Sequence, residues 1–258
     1  MNKNDPRKAY WNEQYVKYWR SRVDEAGTGE SGIIEGDTNT EEDSVYESIF
    51  EHHGFNQGRL LEVGCAWGRM FPLYLKYDLE ISGVDISEAM ISEAKKAWNM
   101  HKNVKCLQAS PAEDLPFDDE YFDNLSCIAV LDATYQDQAI TEFLRVTRPG
   151  ARIYFTGKND SYYQDDKKAY DAEVGARNKN HPNFFTDTQL LIKLLEEQGH
   201  KVEESYFFPR RGDFARFHYE TKPEHFYEYL LVIKRGDNFS ELPKISDTYS
   251  KTYKELNK

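Results

Sequence analysis

Between residues 58 and 208, short apolar runs alternate with stretches in which apolar residues recur at helical spacing. The short runs predict buried strands, and the helical spacing predicts amphipathic helices. Strands are expected at 59–63, 80–84, 104–108, 123–130, 151–156 and 201–208, and helices at 68–76, 87–99, 136–147 and 186–198. This alternation predicts an α/β fold, in which helices cover both faces of a doubly wound, mainly parallel sheet.

The flanking segments divide the chain into three zones. An N-terminal extension, a central domain and a polar tail are expected at 1–57, 58–235 and 236–258, respectively. The extension predicts helices at 8–23 and 41–53 with a loop at 27–39 between them. Within the domain, the polar stretch 158–183 interrupts the alternation as an insert, and 225–235 predicts one more strand. The tail lacks periodicity, so we expect it to be loosely held.

The turn after the first predicted strand carries small residues at alternate positions. In the sequence LLEVGCAWGRM (60–70), Glu62 is followed by Gly64, Ala66 and Gly68. Small residues allow the backbone to approach a ligand, and the N-terminus of the following helix presents unpaired N–H groups. The second strand ends at Asp85, whose carboxylate can accept both hydroxyls of a ribose. The two features together predict a nucleoside-containing ligand, and nicotinamide-dependent dehydrogenases share them.

Two later segments, 109–133 (ASPAEDLPFDDEYFDNLSCIAVLDA) and 143–159 (FLRVTRPGARIYFTGKN), follow in order. With the first two motifs they make the chain resemble the class I S-adenosylmethionine-dependent methyltransferases, in the small-molecule branch with a methyltransferase type 11/25-like domain. The resemblance covers 59–155 well and 181–205 more loosely. It implies a Rossmann-like, seven-stranded, mostly parallel sheet whose last strand, 225–235, lies antiparallel beside the fifth.

The resemblance also implies S-adenosylmethionine as cofactor and S-adenosylhomocysteine as product. The implied cofactor-binding residues are Glu62, Gly64, Cys65, Ala66 and Gly68 in the first turn, Asp85 and Ile86 after the second strand, Ala112 and Glu113 beside the adenine, Ile128 after the fourth strand, and Trp11 and Tyr15 of an N-terminal helix that closes over the site. Ala66 stands where a glycine is commoner, which costs little if its φ is negative. Pro111 replaces a side-chain acceptor for the adenine amine, so Ser110, Glu113 or water must serve.

The acceptor side of the site is less patterned. By resemblance, Asp132 and Tyr135 line the acceptor pocket, where Asp132 would remove a proton or pair with an ammonium group. His181 is a further catalytic candidate from the insert, and Tyr162 or Tyr163 stand with it. Arg210 and Arg211, after the sixth strand, are candidates for holding a carboxylate or phosphate on the acceptor.

Composition restricts the partners. A net charge of −12 disfavours nucleic-acid binding, and no apolar run is long enough to span a membrane. The N-terminus lacks a signal sequence, which predicts a cytoplasmic protein. The three cysteines have no metal-type spacing, so no metal is expected. A small-molecule acceptor and a monomer or homodimer complete this expectation.

Three functions remain open at this point. The leading hypothesis is methyl transfer to oxygen or nitrogen of a small molecule. The first alternative is a cofactor-binding regulatory or scaffold protein of the same fold without catalysis. The second is a nicotinamide-dependent dehydrogenase, against which the later motifs argue. No Asn-Pro-Pro-Tyr-type motif, typical of relatives that methylate planar amines, follows the fourth strand.

Overall fold

A computed structural model describes residues 6–15, 40–178, 180–213 and 221–258. The strands are β1 (Arg59–Val63), β2 (Glu80–Asp85), β3 (Val104–Ala109), β4 (Phe122–Cys127), β5 (Thr147–Lys158), β6 (Phe185–Thr186), β7 (Lys201–Phe208), β8 (Glu228–Lys234) and β9 (Ser246–Asp247). The helices are α1 (Pro6–Ala9), which continues as a π-helical segment (Tyr10–Tyr15), α2 (Thr40–His53), α3 (Phe71–Leu75), α4 (Glu88–Trp98), α5 (Gln136–Val146), α6 (Lys167–Asn178), α7 (Thr188–Glu197) and α8 (Lys251–Leu256).

Seven strands form one sheet in the order β3-β2-β1-β4-β5-β8-β7. All neighbouring pairs are parallel except those of β8, which runs antiparallel to both β5 and β7. The sheet therefore confirms the expected α/β fold and the antiparallel insertion of the last strand beside the fifth. The carboxyl ends of β1, β2, β4 and β5 meet at one edge, which is where such sheets bind ligands.

Alternate residues of β1 point to opposite faces of the sheet and enter two different hydrophobic clusters. Leu61 packs in a cluster with Phe143 of α5 and Leu195 of α7. Leu60 packs in the other cluster with Phe50 of α2 and helices α3 and α4. Burial on both faces explains why the strands read as continuous apolar runs.

The fourth strand ends earlier than expected. Its pairing stops at Cys127, and Ala129 then adopts a left-handed backbone with φ 57°. A short 3₁₀ turn, Leu131–Ala133, follows. Because residues 128–130 leave the sheet, their backbone turns into the space above its edge.

The N-terminal expectations are only partly covered by the structure. Residues 6–15 are helical, whereas the rest of the helix expected at 8–23 and the loop expected at 27–39 lie outside the described residues. The second expected helix, 41–53, corresponds to α2.

The segment after Gly236 differs from the loosely held tail expected from its polarity. β9 pairs with β6 inside the domain, and Ile245 is buried in the core. Ser250 begins α8, and its hydroxyl donates to the buried Glu173 of α6 over 2.7 Å, beside a 2.9 Å bond from its own amide. Sparse apolar anchors and one buried carboxylate hold this segment, and neither produces a periodic pattern.

Candidate functional site

A cavity of about 280 Å³ lies at the carboxyl ends of β1, β2, β4 and β5. Twelve of the expected site residues line it: Trp11, Glu62, Gly64, Cys65, Ala66, Asp85, Ile86, Ala112, Glu113, Ile128, Asp132 and His181. It is also lined by Arg7, Arg69, Ser110 and Lys158, among others. Four separate strand ends therefore bring most of the expected residues together. We call this space the donor cavity.

The turn after β1 requires glycine at two positions for different reasons. Gly64 has φ 75°, its amide donates to the Val84 carbonyl over 2.8 Å, and a Cβ there would overlap Val130 across the cavity. Gly68 has φ 83° and packs against the indole of Trp98. Gly68 does not line the donor cavity, and its amide closes the turn by donating to the Cys65 carbonyl over 2.7 Å.

Ala66 does not have the negative φ under which an alanine at this position would cost little. Its φ is 47°, in the left-handed region that L-residues adopt at a cost of about 1–2 kcal/mol. Its amide donates to the Asp85 carboxylate over 2.9 Å. The left-handed conformation aims that N–H group at the end of β2, so the strain accompanies a contact within the site.

Glu62 is a buried carboxylate at the floor of the donor cavity. Burial raises its pKa well above the ordinary range, an effect opposed by the charge of Arg69 and by the hydroxyl of Tyr74, which lies 3.5 Å from Oε1. Its other oxygen, Oε2, is buried and accepts no hydrogen bond within the part of the chain that the structure describes. A buried acceptor of this kind is costly unless a ligand satisfies it.

Asp85 is oriented by two backbone donors. Oδ1 accepts from the amide of Ser87 over 2.8 Å, and Oδ2 accepts from Ala66. Burial raises the pKa of Asp85 to about 6, although both backbone hydrogen bonds act in the opposite direction. Because each carboxylate oxygen has two lone pairs, both oxygens retain capacity to accept a hydroxyl donor from the cavity.

Glu113 makes a contact that sequence reasoning missed. Its Oε1 accepts from Arg7 over 2.5 Å and from the amide of Tyr135 over 2.6 Å. Arg7 is only 7% exposed, donates also to the Ala133 carbonyl, and stacks 4.2 Å over the ring of Tyr135. The guanidinium therefore ties the N-terminal segment to two residues that line the donor cavity, Glu113 and Ala133. The only hint of this contact in the sequence was a basic residue directly before a predicted helix rich in aromatic residues.

Tyr135 lies outside the donor cavity, contrary to its expected catalytic place. It is 43% exposed and covers Arg7 from the solvent side. The fourth strand, which was expected to run to residue 130, ends at Cys127, so the chain has turned away before it reaches Tyr135.

Trp11 and His181 form one wall of the donor cavity. Their rings meet edge to face at 5.4 Å, and Tyr10 packs on the same imidazole at 4.6 Å. Burial lowers the pKa of His181. The nearby charge of Lys158 lowers this pKa further, whereas that of Asp132 raises it. The neutral imidazole leaves Nδ1 buried without a partner among the described residues. Tyr15 closes the π-helical segment, but its side chain lies outside the described part.

Asp132, expected in the acceptor pocket, lines the donor cavity and has a partner that the sequence did not suggest. Its Oδ2 lies 2.6 Å from Nζ of Lys158, the last residue of β5. Lys158 also donates to Asn183 over 3.0 Å. Burial disfavours the charge of Lys158, yet Asp132, with Tyr227 and Glu228, raises its pKa above the ordinary value. Lys158 therefore keeps its positive charge next to Asp132.

A second cavity of about 160 Å³ adjoins the first and shares Ala129, Asp132 and Lys158 with it. Tyr46, Thr156, Gly157 and Glu228 complete its lining. We call it the side cavity. Glu228, the first residue of β8, lies opposite Lys158 in the antiparallel register.

The other second-tier candidates lie elsewhere. Tyr162 is buried and donates to Glu173, while Arg210 pairs with Asp165 and stacks over Tyr163. Arg211 is exposed and lines neither cavity. Arg210 and Arg211 join the loop after β7 to Asp165 and Asp166 of the insert, whereas the bond of Tyr162 lies within the insert.

Among the described residues, no group of three or more His, Cys, Asp or Glu side chains is arranged to hold a metal ion. None of the described helices has the length and apolar character needed to cross a membrane.

Comparison with known proteins gives a family profile described as "Methyltransferase domain", which matches residues 61–155. Phosphatidylethanolamine N-methyltransferase of Cereibacter sphaeroides is 31% identical over 105 residues, which are 40% of this chain and 51% of that protein. Ubiquinone biosynthesis O-methyltransferase of Coxiella burnetii is 29% identical over 105 residues, 40% of this chain and 44% of that protein. The chain thus spans about half the length of these curated relatives.

Longer matches extend beyond the central motifs. An uncharacterised protein of Methanocaldococcus jannaschii is 30% identical over 169 residues, which are 62% of this chain and 74% of that protein. Among solved structures, magnesium protoporphyrin IX methyltransferase of Synechocystis PCC 6803 with bound S-adenosylmethionine has a TM-score of 0.59 at 15% identity, covering 89% of this chain and 95% of that chain. At this identity the likeness concerns the fold.

Proposed function

The chain belongs to the class I S-adenosylmethionine-dependent methyltransferases, and we propose that it methylates an oxygen or nitrogen atom of a small-molecule acceptor. The family match argues against the dehydrogenase alternative, because it covers the glycine turn and Asp85 together with the later motifs. The relatives include both an N-methyltransferase and an O-methyltransferase. The atom that accepts the methyl group is therefore part of the proposal.

The residues of the donor cavity fit S-adenosylmethionine. The orphaned Oε2 of Glu62 lies in the floor of the cavity, which suits the ammonium group of the methionine part. Asp85 has capacity for the ribose hydroxyls, and Ile86 and Ala112 line the cavity where an adenine would pack. S-adenosylmethionine supplies an electrophilic methyl carbon bonded to a sulfonium sulfur.

The protein's own contribution to such a reaction is positioning and exclusion of water. Arg7 and Trp11 bring the N-terminal segment against the donor cavity, and we propose this segment as its lid. Asp132, Lys158 and His181 line the same cavity on the acceptor side. In the proposed reaction, Asp132 fixes the ammonium of Lys158, and the neutral His181 offers Nδ1 as a hydrogen-bond acceptor or base.

One observation carries the small-molecule assignment. The side cavity adjoins the donor cavity through three shared residues and has a volume of only about 160 Å³. A space of this size suits a metabolite-sized group. It also supports assigning the insert 158–183 to the acceptor site, since Lys158 lines both cavities and His181 lines the larger one. A cytoplasmic protein acting as monomer or homodimer, without nucleic-acid partners, completes the proposal.

Calorimetry and a methyl-transfer assay test this function in sequence. S-adenosylmethionine and S-adenosylhomocysteine should bind in the micromolar range, and Asp85→Ala should weaken binding by about 1.5–3 kcal/mol, the value for removing a charged acceptor. Asp118→Asn, at an exposed position, is the matched control. Deuterated-methyl cofactor incubated with a metabolite extract should yield a labelled small molecule. Absence of cofactor binding by folded protein would refute the proposal.

A further inference from the structure

The side cavity contains more negative than positive charge. Asp132, Lys158 and Glu228 are the only ionisable side chains besides Tyr46 that line it among the described residues. Lys158 forms its ion pair with Asp132 over 2.6 Å and donates to Asn183 over 3.0 Å. Its charge is therefore compensated by Asp132, and the carboxylate of Glu228 is in excess.

Glu228 is placed where it can act on a ligand of this cavity. It lies directly opposite Lys158 in the register of β5 and β8, so both side chains are on the same face of the sheet. No side chain in the described parts of the chain donates a hydrogen bond to its carboxylate. An uncompensated carboxylate in a partly enclosed space is unfavourable unless a proton or a cation neutralises it.

The surroundings of Glu228 are consistent with proton exchange near neutral pH. Burial raises its pKa to about 6, with Asp132 and Asp213 acting in the same direction and Lys158 and Arg211 in the opposite one. Tyr227, the preceding residue, also interacts with it. The group is thus available both as a carboxylate and as a carboxylic acid within the range in which enzymes work.

From this charge distribution we propose that the side cavity receives an amine acceptor, which enters as an ammonium ion and is held by the carboxylate of Glu228 next to the Asp132–Lys158 pair. The inference rests on the proposed methyltransferase function and narrows its acceptor to nitrogen. A hydroxyl acceptor would develop negative charge beside two carboxylates and a lysine already paired, which is unfavourable.

Glu228 takes one proton from the ammonium and becomes a carboxylic acid, leaving a neutral amine with a free lone pair. That lone pair forms the new bond to the methyl carbon, and the electron pair of the broken carbon–sulfur bond stays on sulfur. The product amine carries the positive charge that the sulfonium has lost, so the total charge is unchanged.

Binding of matched amine and alcohol probes tests the proposal without requiring the natural acceptor. Benzylamine and benzyl alcohol, and isobutylamine and isobutanol, are titrated into protein saturated with S-adenosylhomocysteine, and binding is followed by calorimetry and by the shift in melting temperature. We expect saturable millimolar binding of the amines and weaker binding of the alcohols. Glu228→Gln should weaken amine binding about tenfold to a hundredfold, the range for losing a hydrogen bond to a charged group.

The control variant is Glu204→Gln, which removes a half-buried carboxylate from the neighbouring strand β7, outside both cavities. It should bind amines as the unaltered protein does. Equal binding of amines and alcohols, unchanged amine binding in Glu228→Gln, or no saturable amine binding would overturn the amine assignment. If S-adenosylhomocysteine itself does not bind, the proposed function fails first, and the two failures are thereby distinguished.

Discussion

Replacing Arg7 by methionine should accelerate the release of bound S-adenosylhomocysteine. Nη1 of Arg7 donates both to Glu113 and to the Ala133 carbonyl. Both acceptor residues line the donor cavity, so the two bonds hold the N-terminal segment against it. Methionine keeps the length and the apolar stem of the side chain but loses the charge and all donors. The closed position of the segment is therefore destabilised, while the sheet and its core are unaffected.

The expected size of the effect follows from the burial of the pair. The side chains of Arg7 and Glu113 are 7% and 8% exposed, and their atoms are 2.5 Å apart. Breaking a buried pair costs about 3–5 kcal/mol when the remaining charge stays buried. Glu113 lies at a cavity and keeps its hydrogen bond from the amide of Tyr135, so we expect the substitution to destabilise the closed position of the segment by only about 2–3 kcal/mol. At about 1.4 kcal/mol per factor of ten, release should accelerate about 30- to 150-fold.

Stopped-flow fluorescence of Trp11, which lines the donor cavity, measures the release rate after S-adenosylhomocysteine is displaced by excess S-adenosylmethionine analogue. Lys8→Met is the matched control, because the neighbouring Lys8 pairs with Glu88 at 29% and 68% exposure. An exposed pair of this kind contributes about 0–1 kcal/mol. Lys8→Met should therefore change the release rate less than about fivefold.

Two results would refute this reasoning. If Arg7→Met and Lys8→Met release the ligand at the same rate, the buried pair does not hold the segment closed. If Arg7→Met instead lowers the melting temperature of the ligand-free protein by several degrees, Arg7 stabilises the domain as a whole and the lid assignment is wrong.

Three further predictions concern strain, protonation and chemistry. Ala66→Gly should raise the free energy of unfolding in urea by about 0.5–1 kcal/mol, because relief of the left-handed strain exceeds the entropy lost with glycine; a lower midpoint would contradict this. Burial and the nearby Arg235 lower the pKa of His200 to about 4, so protons bind the unfolded state preferentially. The free energy of unfolding should then fall by about 2–3 kcal/mol from about pH 6.5 to about pH 4, and the His200→Gln variant should lack this decrease. Parallel plots of unfolding free energy against pH for the two proteins would contradict the assignment. Asp132→Asn should reduce turnover about 10²-fold with nearly unchanged cofactor affinity, since it leaves Lys158 uncompensated; full turnover would assign Asp132 a structural role only.

The donor side of the site could be predicted from the sequence because it depends on local backbone geometry. Glu62, Gly64 and Asp85 stand at strand ends that periodicity locates to within one or two residues, and parallel strand ends meet at one edge of the sheet. Even there, the left-handed backbone of Ala66 was not foreseen. Its φ depends on where the Asp85 carboxylate lies, which is a relation between two strands.

The acceptor side depends on contacts between residues far apart in the chain, and no local pattern reports them. Lys158 is the last residue of β5 and Asp132 lies in the 3₁₀ turn after β4, while Arg7 and Glu113 are separated by more than 100 positions. Neither Lys158 nor Arg7 stands out in the sequence as a partner of these carboxylates. The C-terminal segment was misjudged for the same reason. Its few buried anchors, such as Ser250 with Glu173, join segments that lack periodicity.

The pairing of charges also changes the assignment of the base. Asp132, after the fourth strand, was expected to remove a proton or to pair with an ammonium group, but its Oδ2 is already paired with Nζ of Lys158 at 2.6 Å. Nδ1 of His181, in the donor cavity, has no hydrogen-bond partner among the described residues, and the carboxylate of Glu228 lines the side cavity. Burial lowers the pKa of His181 and raises that of Glu228 to about 6. Proton removal from an acceptor in the side cavity is therefore better suited to Glu228, while Asp132 fixes the lysine that separates the two carboxylates.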